Sequence, residues 1–271
     1  MNARAILAIA RKDLKVVRQN RNVVTPIIII IVLFFIVFPL VIGLAPTVFN
    51  GLEDKISPID GFLAKIPTSL QQEFAAYSVD QKLVVLALEY MLMPFFLLLP
   101  LMVASLIAAD SFAGEKERKT LEALLYTPTT DRELLVAKMF SGWLAAVVVG
   151  LGGFFIYTIV VNAAAWPLMQ RVFFPNSLWL VMIAWVVPAL SGLGVGVMVV
   201  ASSRAQGFQD ANQMAGIVVL PIVALFYAQM AGALFLSVGI MLLIGLVVWL
   251  FTALLVWMGS RSFRRNRLLG A

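Results

Sequence analysis

The segment of residues 110–138, which lies between two long apolar stretches, is densely charged. Its centre, residues 113–128, reads AGEKERKTLEALLYTP. Opposite charges stand four residues apart in two pairs, Glu115 with Lys119 and Arg118 with Glu122. On a helix each such pair contributes about 0.2–0.5 kcal/mol.

An apolar stripe lies beside these charge pairs and consists of Leu121, Leu124 and Leu125. Such a stripe needs to be buried against lipid headgroups or a protein groove. We therefore expect this segment to bind a soluble partner, although a helix pair that merely solvates the connection would share its composition.

The residue types that the chain lacks exclude several chemistries. It has no cysteine and no histidine, so disulfides, thiolate nucleophiles, imidazole bases and zinc sites built on those residues are excluded. No lysine follows a glycine, so the phosphate-binding loop Gly-x-x-x-x-Gly-Lys-Ser/Thr is absent. An intramembrane enzyme would need paired acids or an activated serine within an apolar stretch, and none is visible. We expect no catalytic residue, metal or cofactor in this chain.

The composition is that of a chain whose solvent is mostly lipid, since 62% of the residues are hydrophobic and 13% are charged. A hydrocarbon core about 30 Å thick requires roughly 20 consecutive apolar residues. Six stretches meet this length, and they predict an all-α integral membrane protein forming a single domain over residues 1–271. The predicted spans are residues 23–44, 90–109, 139–161, 178–201, 213–230 and 235–258.

The distribution of basic residues predicts the orientation. All but four of the 20 Lys and Arg residues fall on the side that holds both termini; the exceptions are Lys55, Lys65, Lys82 and Arg171. The positive-inside rule therefore places the termini, the basic tail 259–271 and the charged segment in the cytoplasm. This topology and anionic lipid account for the net charge of +6, so we expect no binding to nucleic acid.

The segments before and between the first spans have helical patterns of their own. Residues 1–22 predict an amphipathic interfacial helix, which is either an elbow that braces the first span or a simple basic anchor. Asp13 falls near its apolar arc, where a purely lipid-facing helix would not favour a charge. The external loop 45–89 contains a short amphipathic pattern over residues 67–82, which either caps an exit or covers the outer surface.

The charged segment is predicted to form a stiff cytoplasmic hairpin of two helices. Pro128 ends the first helix, and Thr130 with Glu133 has the spacing of a capping box that starts the second. The second helix continues into the third span.

The run SFAGEKERKTLEALLYTP, residues 111–128, resembles the signature that follows the second span in permease subunits of type-2 ATP-binding-cassette (ABC) exporters. The similarity extends along essentially the whole chain: a basic elbow helix, six spans, a large first external loop, and a fifth span that begins at Gln213 and contains Pro221.

The resemblance implies that the hairpin couples the spans to a separate ATPase. In that family it docks into a groove of the ATP-hydrolysing subunit, and by similarity the coupling residues are Gly114, Glu115, Glu117, Thr120, Leu121, Glu122 and Pro128. ATP and Mg²⁺ would bind to ABC ATPase subunits, and a second permease subunit would complete a homodimer or heterodimer. The implied location is the cytoplasmic (inner) membrane, from which substrate is exported.

The spans supply candidates for the transport route. In the resembled family the second and fifth spans line the route, which makes Met91, Phe95, Phe96, Phe226 and Met230 candidate wall residues. Such residues also occur in ordinary helix packing; as walls they would favour an apolar or amphipathic cargo. Kinks are expected at Pro94, Pro100, Pro188 and Pro221.

Small residues and tryptophans predict packing and depth. Close helix approach is expected at Gly150, Gly152, Gly153, Ser191, Gly192, Gly194 and Gly196. Interfacial anchoring is expected of Trp143, Trp166, Trp179 and Trp257.

Two alternatives to an ABC permease stay open: a gradient-driven secondary transporter and a non-transporting structural membrane protein. The absence of an ionisable residue at mid-depth in any predicted span disfavours the first, because a proton or ion relay usually needs such a group. Backbone carbonyls at broken helices could still hold a cation.

Overall fold

A bundle of long apolar helices forms the protein. The computed structural model describes residues 3–48, 71–72, 74–118, 130–205, 207–231 and 235–262, and in these residues every regular element is a helix. An N-terminal helix, Ala3–Gln19, precedes six helices long and apolar enough to cross a membrane. These are span 1 (Val23–Val48), span 2 (Val79–Glu117), span 3 (Arg132–Met169), span 4 (Ser177–Ser202), span 5 (Phe208–Met230) and span 6 (Val238–Gly259). The all-α fold class with six spans is confirmed.

The second span is longer than its hydropathy predicts. We expected it to cover residues 90–109, but the helix begins at Val79, after the N-cap Ser78, and continues to Glu117. It continues because the charge of Asp110 is buried and bonded to protein rather than exposed at a helix end. Of the helix predicted over residues 67–82, only residues 67–70 and 73 lie outside the described residues. Residues 71, 72 and 74 are helical, a turn follows at residues 75–77, and from Val79 the predicted helix is the start of span 2.

The capping box before span 3 is confirmed. Thr130 Oγ1 accepts the Glu133 N–H at 3.3 Å, and Glu133 Oε2 accepts the Thr130 N–H at 3.0 Å. The remainder of the predicted hairpin, residues 119–129, lies outside the described residues.

Three spans widen into a π-helical turn just before a proline. These turns are Leu33–Val37 before Pro39, Leu86–Met91 before Pro94, and Met182–Val186 before Pro188. A proline has no N–H and its ring clashes with the carbonyl of the preceding turn, so an extra residue in that turn relieves the clash. The break expected at Pro94 and Pro188 therefore takes the form of a widened turn.

Spans 2 and 4 form the centre of the bundle. In each, 67% of the most apolar window is buried within the chain, compared with 12% in span 5. Close packing at glycine is confirmed where span 4 meets span 2, because a Cβ at Gly194 would lie 2.8 Å from the Leu101 carbonyl oxygen. It also holds for Gly150, Gly153, Gly192 and Gly196, whereas a Cβ at Gly152 would meet nothing within 4 Å.

An aromatic cluster fills the interior between spans 2, 3 and 4. The Trp179 ring is completely buried, stacks on Tyr157 with ring centroids 5.1 Å apart, and meets the edge of Phe96 at 5.2 Å. The expectation that Trp179 anchors the chain at the membrane interface is therefore wrong, because its apolar ring surface is used inside the protein.

Candidate functional site

An ion cluster joins the N-terminal helix to spans 2 and 3 at one end of the bundle, which we call the basal end. We define it by five side chains: Lys12, Asp13, Ser111, Glu115 and Lys138. Lys138 is fully buried at the start of span 3. Its ammonium donates to Glu115 Oε2 at 2.6 Å, to the Ser111 carbonyl at 2.6 Å and to Ser111 Oγ at 3.1 Å. All three of its donor positions are therefore used within the protein.

The N-terminal helix enters the cluster through adjacent residues of opposite charge. Asp13 is buried; its Oδ2 accepts the Ser111 hydroxyl at 2.9 Å and lies 3.9 Å from the Lys138 ammonium. Lys12 donates to Glu115 Oε1. The position of Asp13 near the apolar arc is thus explained, because that arc packs on protein rather than on lipid alone.

The cluster is electrically balanced, with two ammonium groups facing two carboxylates. Partial burial lowers the pKa of Lys12, but its hydrogen bond to Glu115 and the charges of Glu115 and Asp13 outweigh this, so the pKa is raised. Removing Lys138 would leave the buried carboxylates of Asp13 and Glu115 with only the half-exposed Lys12 ammonium beside them, which costs several kcal/mol. Separating the N-terminal helix, span 2 and span 3 at this cluster, which we call the basal joint, is therefore energetically costly.

A second set of polar contacts lies in the last turns of span 2 and also connects them to Asn20. Arg118 folds back so that NH1 donates to Asp110 Oδ1 at 3.0 Å, and Asn20 donates to the same oxygen at 3.2 Å. Gly114 makes room for this: a Cβ there would lie 3.0 Å from Asp110 Oδ1 and 3.2 Å from Arg118 NH2. Arg118 was expected to pair with Glu122, which lies outside the described residues.

The last turn of span 2 also contacts the start of span 5. Glu117 Oε2 accepts the Phe208 N–H at 3.0 Å, at the positive end of the span 5 helix, where a carboxylate is favoured. Lys116 donates to the Ala205 carbonyl at 3.2 Å. Gly207 allows the first contact, since a Cβ there would lie 2.7 Å from Glu117 Oε2.

Three of the residues assigned to coupling by resemblance therefore lie together at the basal end. Gly114, Glu115 and Glu117 occupy the final turns of span 2, and Glu115 is buried rather than presented to a partner. The other four, Thr120, Leu121, Glu122 and Pro128, lie outside the described residues, as does Lys119, the expected partner of Glu115.

Sequence reasoning did not assign Lys12, Ser111 or Lys138 to a site. Asp13 carried a signal, because its charge interrupts an apolar arc. Lys138 carried a weaker one, because it follows Leu134 at helical spacing and so shares its buried face. Among the residues that the structure describes, no group of three acidic side chains could hold a metal ion.

The candidate wall residues lie nearer the opposite, apical end, and only some of them meet. The rings of Phe95 and Phe226 have centroids 4.5 Å apart, so spans 2 and 5 are neighbours there. Met91 is half-buried and Met230 is exposed. Phe96 instead points into the aromatic cluster around Trp179.

Beside these residues, three consecutive carbonyls of the Leu86–Met91 π turn of span 2 accept side-chain hydrogen bonds from three other spans. Leu88 O accepts Tyr157 Oη at 2.6 Å, Glu89 O accepts Trp179 Nε1 at 2.9 Å, and Tyr90 O accepts Gln229 Nε2 at 2.7 Å. The cause is Pro94: it offers no N–H to Tyr90 O, and the widened turn shifts the neighbouring bonds. The π turn is thus attached to spans 3, 4 and 5 at once.

Comparison with known proteins agrees with this architecture. A search of curated proteins found no match to this chain. The sequence does match the model of the ABC-2 family transporter protein over residues 7–267, which covers most of the N-terminal helix, all six spans and the basal ion cluster. With this match over nearly its whole length, the chain belongs to the ABC-2 family of transporter membrane proteins.

Proposed function

We propose that this chain is the permease of an ABC exporter, moving an apolar or amphipathic substrate outward across the cytoplasmic membrane. Energy comes from ATP hydrolysed by a separate nucleotide-binding subunit that carries ATP and Mg²⁺. The family supports an ABC permease. The observation that supports coupling to an ATPase is the ion cluster, which connects the charged segment between spans 2 and 3 to the N-terminal helix and to span 3.

In this mechanism the basal end lies in the cytoplasm and the ATPase displaces the segment around residues 119–129. The displacement reaches span 2 directly, because its helix is continuous to Glu117. It reaches the N-terminal helix and span 3 through Glu115, which bonds both Lys12 and Lys138. It reaches span 5 through the Glu117 contact with Phe208.

The joint transmits force because opening it is costly. The buried charges of Glu115 and Lys138 compensate each other at 2.6 Å, so helices linked through them move together rather than separate. An exposed ion pair would yield instead, since exposed pairs contribute about 0–1 kcal/mol.

The route lies between spans 2 and 5 and is completed by a second permease subunit, identical or related. Met91, Phe95, Phe226 and Met230 are its proposed wall residues, and their apolar surfaces support a hydrophobic or amphipathic cargo. Phe96 supports the wall from behind through the aromatic cluster.

Site-specific crosslinking tests the coupling. Because the chain has no cysteine, one introduced cysteine is a unique attachment point. In native membranes, Leu121→Cys carrying a photoreactive reagent is expected to crosslink to a protein that 8-azido-ATP labels. Val172→Cys, exposed near the apical end between spans 3 and 4, is the matched control and is expected to give no such product.

The proposal fails if Leu121→Cys captures no nucleotide-labelled protein while the chain remains folded and inserted. It also fails if charge reversal of Glu117 leaves ATP-dependent uptake of lipophilic dyes and lipid analogues by inside-out vesicles unchanged, after wild-type vesicles have accumulated them.

A further inference from the structure

An apolar groove runs along the outside of the bundle between spans 3, 4 and 6, on surfaces that the proposed coupling and route do not use. Its volume is about 290 Å³. The floor is formed by buried residues of spans 4 and 6, and the walls by half-buried or exposed residues of spans 3 and 6. The lining consists of Val136, Met139, Phe140, Trp143, Gly192, Val195, Trp249, Thr252 and Val256.

The groove is shaped by fixed contacts. Gly192 lets spans 4 and 6 approach closely, since a Cβ there would lie 2.8 Å from Thr252 Cγ2. Trp143 is held upright by a hydrogen bond from Nε1 to the Pro188 carbonyl at 3.0 Å, and its ring stacks on Phe140. A groove whose walls are fixed in this way exists before any ligand enters.

The surface that the groove presents is hydrocarbon. The only hydroxyl in the lining, that of Thr252, donates to the Ala189 carbonyl at 3.2 Å and is already used. The indole nitrogen of Trp249 is buried and, among the described residues, has no hydrogen-bond partner, so it presents no polar surface to the groove. An occupant must therefore be apolar over the length of the groove, which spans residues 136–143 of one helix, or about 10 Å.

Among the side chains that the structure describes, that of Arg132 places a positive charge at the basal end of this groove. Arg132 lies one helical turn before Val136 and two before Phe140, so all three share a face of span 3. Its side chain is exposed and, within the described part of the chain, makes no hydrogen bond or ion pair. It lies about 6 Å beyond Val136 along the helix axis, toward the level of the lipid headgroups.

We propose that this groove is a binding site for an anionic phospholipid of the leaflet at the basal end, with one acyl chain in the groove and the phosphate at Arg132. The apolar lining selects a hydrocarbon chain, and the guanidinium selects a negative headgroup. Neutral lipids fill the same groove without the charge contact and exchange more readily.

Native mass spectrometry of the purified chain tests this site, with phosphatidylglycerol and phosphatidylcholine of identical acyl chains as probes. The wild type is expected to retain phosphatidylglycerol preferentially. Arg132→Gln is expected to weaken phosphatidylglycerol binding about fivefold and to leave phosphatidylcholine unchanged, as removal of one basic contact predicts. Arg204→Gln, which removes an exposed positive charge at the same end of the bundle, is the control and is expected to leave the preference intact.

Filling the groove is the second arm. Val136→Trp places an indole in the groove and is expected to reduce retention of both lipids at least about tenfold, because the acyl chain loses its buried methylenes. Val148→Trp, on an exposed part of the same helix outside the groove, is expected to have no effect.

Equal retention of both lipids by the wild type, or equal effects of Arg132→Gln and Arg204→Gln, would overturn the headgroup assignment and with it the proposal. Unchanged retention in Val136→Trp would show that the bound lipid lies elsewhere. Neither readout depends on transport, so the result is separate from the proposed export function.

Discussion

Lys138 illustrates how one residue ties the basal end together. Lys138→Met keeps the apolar stem but leaves Asp13 and Glu115 facing a single positive charge, so we expect a loss of about 3–5 kcal/mol in stability. Adding Glu115→Gln restores the balance between Lys12 and Asp13, and the double variant should recover part of that loss. Thermal unfolding in one detergent measures both. Arg204→Gln, an exposed change of the same charge, should stay within about 0.5 kcal/mol of wild type.

If the double variant is less stable than Lys138→Met by the full amount of Glu115→Gln alone, the two residues act independently. That additivity would contradict the cluster, because residues that share one buried ion network must show a coupling energy.

Glu117 acts on the end of a helix rather than on a buried charge. Glu117→Leu removes the acceptor of the Phe208 N–H, so we expect faster hydrogen exchange in the first turn of span 5. The effect on global stability should be small, about 0.3–1 kcal/mol, as for other charges at helix termini. Exchange measured by mass spectrometry on peptides covering residues 207–215 tests this, with Glu117→Gln, which keeps an acceptor oxygen at the same position, as the matched control that should leave exchange nearly unchanged. Unchanged exchange in Glu117→Leu would show that another group satisfies this N–H.

At the scale of elements, span 4 depends on glycine for its contact with span 2. Gly194→Ala puts a Cβ 2.8 Å from the Leu101 carbonyl oxygen, so the helices must separate and stability should fall by about 1–3 kcal/mol. Gly152→Ala is the matched control: its Cβ would meet nothing within 4 Å, and alanine is the better helix former. Thermal unfolding should therefore give opposite signs for the two variants, and equal shifts would refute the packing argument.

The π turn of span 2 and the fifth span form a second testable pair. Gln229 is one of two buried residues in the helix Leu220–Met230, and its Nε2 donates to the Tyr90 carbonyl at 2.7 Å. Gln229→Leu removes this hydrogen bond, a cost of about 0.5–1.5 kcal/mol, and residues 220–230 should exchange hydrogen faster. Gln213→Leu, exposed earlier in the same span, should leave exchange there unchanged. Slower or equal exchange in Gln229→Leu would show that the apolar contacts alone hold span 5.

For the whole molecule, hydropathy and charge predicted the all-α membrane class well, but they predicted the polar contacts between helices poorly. Six spans and the Thr130 capping box follow from local patterns, because length, periodicity and caps are local properties. The ion cluster brings together residues about a hundred positions apart, such as Lys12 and Glu115, and no local pattern indicates which partner a charge will find. The prediction that Trp179 is an interfacial anchor was wrong for the same reason. The local sequence around a tryptophan near the end of a span does not indicate whether its ring faces lipid or a neighbouring helix.

The exposed apolar surface of span 5 bears on the assembly of the complete transporter. Ile217, Leu220 and Tyr227 of this span are all more than 60% exposed, although the same span contacts the proposed route at Phe226. If a second permease subunit closes that route, span 5 of one subunit faces the other.

In that arrangement Tyr227→Cys should form a disulfide-linked dimer on mild oxidation in membranes, detected by its doubled mass. Val148→Cys, 58% exposed on span 3, should remain monomeric because it faces lipid. A heterodimer would give the Tyr227→Cys variant a product only with a cysteine-bearing partner of different mass. Dimers formed equally by both variants would indicate random collision in the bilayer and would contradict an interface at span 5.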